Sequence, residues 1–189
     1  MTKIVVVYHS GYGHTAKLAE AVHAGAAELA DSTILPISAE GDLSDGAWDA
    51  IAAADGVIFG SPTYMGGPSW QFKKFADTSS KAWFGQAWKD KVAGGFTNSA
   101  SLNGDKGSTI AYFVTLAMQQ SMVWVGPGLM PSSTKASGRD DVNHMGGYSG
   151  ALATSPSDSS PDEYPSAGDR ETGRLLGRRV AETAAKLRG

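Results

Sequence analysis

Cysteine is absent from these 189 residues, which excludes disulfides, thiol catalysis, iron–sulfur clusters and cysteine-bound zinc. Histidine is scarce. His9, His14, His23 and His144 are the full set, and their spacing matches neither an HExxH pair nor another metal-ligand pattern. No apolar run reaches the ~18 residues that a membrane-spanning helix needs. Neither sign of charge is in large excess: 16 Lys and Arg stand against 19 Asp and Glu, a net charge of −3. Gripping nucleic acid takes many unopposed cations, so that class of function is disfavoured. Met1-Thr2-Lys3 runs straight into Ile4-Val5-Val6-Val7-Tyr8 without the small-residue cleavage site of a signal peptide. The expectation is a soluble, cytoplasmic protein with no membrane span and no nucleic-acid partner, folded as a single domain over residues 1–189.

What is present is an alternation of two patterns. Short apolar runs fall at 3–8, 33–37, 57–60, 91–96 and 122–125, and the more β-branched of them suit strands covered on both faces. Between them lie stretches with apolar residues at spacings of three and four. Leu18, Val22, Ala26 and Leu29 form one stripe, a short helix carries Trp48, Ile51 and Ala52, and further helices carry Trp70, Phe72 and Phe75, then Ile110, Phe113, Val114 and Ala117. Leu176, Val180, Ala184 and Leu187 mark a final helix over 170–187. Residues 127–168 hold no period and are rich in Ser, Gly, Pro and Asp, which predicts a long loop. Strands alternating with helices predict an α/β fold with a five-stranded parallel sheet between two helical layers. Ligands in such sheets bind beyond the carboxyl ends of the strands, so the polar loops after strands one, three and four share a candidate duty.

The first of these loops, Ser10-Gly11-Tyr12-Gly13-His14-Thr15, opens a helix. Its glycines let backbone amides turn inward around an anion, and Ser10 and Thr15 add hydroxyls. It lacks the Lys-Ser/Thr ending of a P-loop and the three glycines of a dinucleotide fingerprint, which leaves a terminal phosphate or an ordinary capped turn. The second loop, Pro62-Thr63-Tyr64-Met65-Gly66, offers a hydroxyl at Thr63 and a stacking face at Tyr64, a mixture suited to a flat ligand such as a flavin. The third, Thr97-Asn98-Ser99-Ala100-Ser101-Leu102-Asn103, supplies small polar groups that can meet a ring edge. Of the histidines, His9 reads as a satisfied turn residue and His23 as a solvated one. His144, inside the long loop, either covers a ligand or sits at a surface or interface. Trp83 and Trp88 line either a substrate slot, an interface or the core.

With these three loops the chain resembles the flavodoxin-like NAD(P)H:quinone oxidoreductases of the tryptophan-repressor-binding-protein-A type. The resemblance rests on Ser10 to Thr15, on Gly60-Ser61-Pro62-Thr63-Tyr64-Met65-Gly66, on Phe96 to Ser101 and on the closing helix Gly177 to Leu187. It implies a flavodoxin-like three-layer sandwich with strand order 2-1-3-4-5, FMN as cofactor, NADH or NADPH as co-substrate, a quinone or other small aromatic acceptor, and a homotetramer or homodimer. Carried over, Ser10 to Thr15 would hold the phosphate, with Tyr12 also near the nicotinamide. Thr63, Tyr64 and Met65 would flank the isoalloxazine, and Asn98 to Asn103 would form its third wall, with no protein nucleophile or acid–base triad. Two departures are visible. The family usually has Arg-Phe where this chain has Tyr64-Met65. It also often has a histidine, reaching a neighbouring subunit's flavin, where this chain has Gln120. The alternatives are an electron-transfer flavodoxin, an FMN, azo- or nitro-reductase, and a flavodoxin-like interaction module without cofactor.

Overall fold

The computed structural model describes residues 1–188. The first strand, β1 (Lys3–Tyr8), serves both faces of the sheet, because alternate side chains of a strand point to opposite sides. Ile4 and Val6 join one apolar cluster, while Val5 and Val7 join the other. The remaining elements follow as α1 (His14–Ala27), β2 (Asp31–Pro36), α2 (Ala47–Ala53), β3 (Gly56–Tyr64), β4 (Gly67–Pro68), α3 (Trp70–Thr78), α4 (Ser80–Phe84), β5 (Val92–Ser99), α5 (Lys106–Gln119), β6 (Val123–Trp124), β7 (Ala151–Thr154) and α6 (Ala167–Arg188). The core strands run parallel in the order β2-β1-β3-β5-β6. In terms of principal strands this is the flavodoxin-like order 2-1-3-4-5. Helices α1 and α6 cover one face with Leu18, Val22, Leu176 and Val180. Helices α2, α3 and α5 cover the other, where Phe59, Phe72, Phe75, Phe113 and Trp88 interlock. Trp88 is therefore core, whereas Trp83 is exposed beside Phe84 on α4.

Three boundaries differ from the sequence reading, each for a tertiary reason. Strand β3 does not end at Gly60. Ser61 and Pro62 continue the ladder against Thr97 and Asn98 of β5, and Thr63-Tyr64 fold back on Gly67-Pro68. The hairpin tip is Met65-Gly66, with φ of 47° and 83°, the left-handed pair that two-residue hairpin turns require. The expected third loop starts as strand too, since β5 runs to Ser99, and α5 begins at Lys106.

The largest difference lies in 127–168, which is not one unstructured connection. The fifth position of the sheet is split. Val123 and Trp124 pair with Val92 and Ala93 at the lower half of β5, and Ala151 to Thr154 pair with Phe96 to Ser99 at its upper half. The segment between β6 and β7 is an excursion that returns to finish the same strand position. Trp124 Nε1 donates to the Ser149 carbonyl at 2.8 Å and ties the two halves together. Among the described residues no helix is long and apolar enough to cross a membrane.

Candidate active site

Beyond the carboxyl ends of β1, β3, β5 and β7 lies a cavity of about 630 Å³, within the range of small-molecule sites. One wall is the loop that begins α1. Gly13 takes φ 90° at the helix N-cap, a conformation that side chains resist. Ser10 Oγ accepts from the amides of Gly13 and Ala16, both at 3.1 Å, and so sets the curvature of the loop. No acidic residue occupies the first turn of α1, which leaves the positive end of the helix dipole for an external anion. Tyr12, His14 and Thr15 face the cavity. His14 Nδ1 lies 3.0 Å from the Tyr164 carbonyl, and a Cβ on Gly13 would stand 2.7 Å from Pro161 Cγ. The stretch before α6 thus closes over this loop.

The second wall is the end of β3 with Pro62, Thr63 and Tyr64. The Tyr64 ring crosses to the first wall, its centroid 6.3 Å from that of Tyr12 in an edge-on arrangement. Its hydroxyl meets the Gly11 backbone so closely that a Cβ on Gly11 would lie 2.5 Å away. Burial, followed by the nearby Tyr12, raises the Tyr64 pKa, while the Gly11 amide acts against the rise; Tyr64 stays neutral at pH 7. Thr63 lines the cavity, but its hydroxyl is engaged with those of Thr97 at 2.8 Å and Thr109 at 2.7 Å. It braces β3 against β5 and α5.

Asn98, Ser99 and Ala100 make the third wall, and Ser155, Pro156, Ser157 and Ser159 a fourth. Ser155 Oγ donates to Asn98 Oδ1 at 2.9 Å and locks the two together. The lining contains no carboxylate, ammonium or guanidinium. An anion here would be met by neutral hydroxyls and by the N-terminus of α1. A flat ring would lie between the tyrosines and the ends of β3 and β5. The tight backbone at Gly11 and Gly13, the helix start and the cavity volume fit FMN.

A family model described as NADPH-dependent FMN reductase matches residues 2–136, which hold the first three walls. The chain belongs to this family, within its flavodoxin-like, WrbA-type branch. Flavodoxin FldP of Pseudomonas aeruginosa is 50% identical over 187 residues, covering 99% of each chain. An NAD(P)H dehydrogenase (quinone) of Geobacter sulfurreducens is 31% identical over an alignment of 206 positions, covering 98% of this chain and 99% of that one. The crystal structure of a flavodoxin, WrbA-like protein from Agrobacterium tumefaciens superposes with a TM-score of 0.80 at 50% identity, covering 98% of this chain and 99% of that chain.

Some residues singled out from sequence stand apart from the cavity. Met65 is fully exposed at the hairpin tip with Gly66 beside it, and Ser101, Leu102 and Asn103 are exposed and do not line the cavity. Thr97 is buried in the threonine cluster. His144 lies outside the lining, with its Nδ1 buried and unpartnered. His9 also leaves Nδ1 unpartnered, contrary to the satisfied turn residue expected, and burial lowers its pKa. His23 is not simply solvated, since its Nδ1 lies 2.9 Å from Ser32 Oγ. Gln120 turns inward, donating to Ser79 Oγ at 2.9 Å. The fourth wall was missed from sequence. Its signal was a repeated pattern: Thr154-Ser155-Pro156-Ser157 leaves β7 much as Gly60-Ser61-Pro62-Thr63 continues β3.

Proposed function

We propose that this chain is an FMN-dependent oxidoreductase that passes two electrons from NADH or NADPH to a quinone or similar small aromatic acceptor. The observation that carries this reading is the 630 Å³ cavity, set between a helix start free of acidic residues and the ends of β3 and β5, with a lining that has no carboxylate, ammonium or guanidinium. Bound FMN would supply the redox chemistry, since no protein group here needs to form a covalent intermediate. The residues have holding and shaping roles. Ser10 would keep the first loop curved around the phosphate, with the amides at His14 and Thr15 completing the cradle. Tyr12 and Tyr64 would wall the ring and exclude water, while Asn98 and Ser155, bonded to each other, would present a rigid polar edge. Tyr12 is largely exposed, which suits a face shared in turn by nicotinamide and acceptor. The quinone dehydrogenases among the relatives support this acceptor class. A cytoplasmic location and a homotetramer or homodimer complete the proposal, the latter favoured by exposed Trp83, Phe84 and Met118.

The test is anaerobic stopped-flow mixing of FMN-loaded protein with NADH or NADPH, then with benzoquinone. Bleaching of the flavin band by one nucleotide and its return with quinone are expected. Failure of both nucleotides to bleach it overturns the reading. The 50% identity to a flavodoxin favours a second reading, electron transfer to a protein partner. That reading is supported if dithionite reduces the bound flavin and both nucleotides fail.

A further inference from the structure

Lys106 opens α5 and is 1% exposed, although lysine is rarely buried without a carboxylate partner. Its Nζ touches no carboxylate directly. It donates to the carbonyls of Ser101 at 2.5 Å and Leu102 at 3.0 Å, the residues that follow the third wall in the chain. The same Ser101 carbonyl accepts from Ser99 Oγ at 3.3 Å, and Ser99 lines the cavity. The ammonium therefore stands one carbonyl behind the wall. Farther back, Arg139 of the excursion donates to Asp169 of α6 at 2.6 Å, and Asp169 also accepts from the Thr154 amide at the end of β7 at 3.0 Å. Asp169 and Arg139 are the charged groups that act on Lys106 from the elements around it, the first favouring its charged form and the second opposing it. Arg139 and Asp169 pair with each other, so the Lys106 ammonium is the buried charge left without a direct ionic partner among the described residues.

We propose that Lys106 is a positioning residue of the flavin site: through the Ser101 and Leu102 carbonyls it fixes the segment that continues the third wall, and its charge beside Ser99 favours reduced over oxidised flavin. The inference rests on the reading that the cavity holds FMN. Uptake of two electrons from the nicotinamide and one proton adds one negative charge to the ring, and a buried cation stabilises that charge more than it stabilises the neutral oxidised ring. Burial lowers the Lys106 pKa to about 8, so it is still mostly protonated at neutral pH and able to bind its proton more tightly when the ring becomes negative.

The experiment compares wild type, Lys106→Met and Lys106→Arg. It measures affinity for oxidised and for dithionite-reduced FMN, and the midpoint potential below and above pH 8. Lys106→Met should weaken binding of reduced FMN about tenfold more than binding of oxidised FMN, the scale of one charge at ~10 Å in a partly screened interior. Lys106→Arg should keep most of the difference. In wild type, reduction between pH 8 and about 9 should take up about half a further proton per two electrons, an uptake that Lys106→Met abolishes. Equal weakening of both redox forms would show a purely structural lysine and overturn the inference while leaving FMN binding intact. Wild type that binds no FMN overturns the cavity reading and this inference together. If Lys106→Met fails to fold, the wild-type slope decides: no added proton uptake overturns the proposal.

Discussion

Ser10 shows how much one hydroxyl organises at the residue scale. It accepts from the Gly13 amide of the first loop and from the Ala16 amide in the first turn of α1, which would otherwise be left unpaired. Ser10→Ala should cost about 1 kcal/mol of stability in urea melts, the usual worth of a helix cap, and should weaken FMN binding in a fluorescence titration. Lys106 carries a pH signature of its own. Folded, it titrates near 8; unfolded, near the ordinary 10.5, so between these values the unfolded chain binds more protons. Its contribution to stability must then rise with pH across that window. The raised pKa values of Tyr8, Tyr64 and Tyr112 act in the opposite direction, removing stability once their unfolded forms ionise above ~10. The melting temperature of wild type minus that of Lys106→Met should shift in favour of wild type as pH climbs above 8, the variant lacking the lysine-linked rise. Residue types were readable in the loops, where Ser10, Tyr64 and Asn98 already suggested a flat anionic ligand. Their partners were not. That Thr63 spends its hydroxyl on Thr97 and Thr109, or that Tyr64 leans on Gly11, depends on segments brought together only by the sheet.

Among the elements, α1 and α6 pack with unusual closeness, and glycines in mid-helix make that possible. A Cβ on Gly177 would stand 1.9 Å from the Val22 carbonyl oxygen, and one on Gly25 1.8 Å from that of Arg174. Backbone cannot yield as a flexible side chain can. Gly177→Ala should therefore destabilise by about 1–3 kcal/mol in a denaturant melt, despite alanine's better helix propensity. Strand β7 is the element least visible in sequence. Ala151-Leu152-Ala153-Thr154 has weak strand propensity and pairs because the upper half of β5 would otherwise be an open edge. Asp169 then holds the end of β7 by accepting from the Thr154 amide and from Arg139. Asp169→Ala should cost about 1–3 kcal/mol, the price of an unsatisfied buried amide, and should loosen Ser155 at the fourth wall. The checks are chemical denaturation and FMN affinity on the same preparation.

At the scale of the whole molecule, the three layers leave the carboxyl rim of the sheet as the place where four chain segments far apart in sequence face one another. A ligand bound there touches loops that follow β1, β3, β5 and β7 and ties them into one unit. FMN at about 100 times its dissociation constant should raise stability by about 2.7 kcal/mol, read as an upward shift in Tm by scanning fluorimetry. Riboflavin, without the phosphate, should give a smaller shift if the start of α1 is the anchor. The continuous apolar runs and the helical patterns alone determined the strand–helix alternation, the parallel sheet and the loops that would lie at its rim, because burial of apolar faces is a local, repeating demand on sequence. The split fifth strand, the fourth wall and the buried charge on Lys106 were decided only by tertiary structure. They depend on pairing and desolvation between residues dozens of positions apart, and no local pattern records which distant segment will complete an edge or enclose a charge.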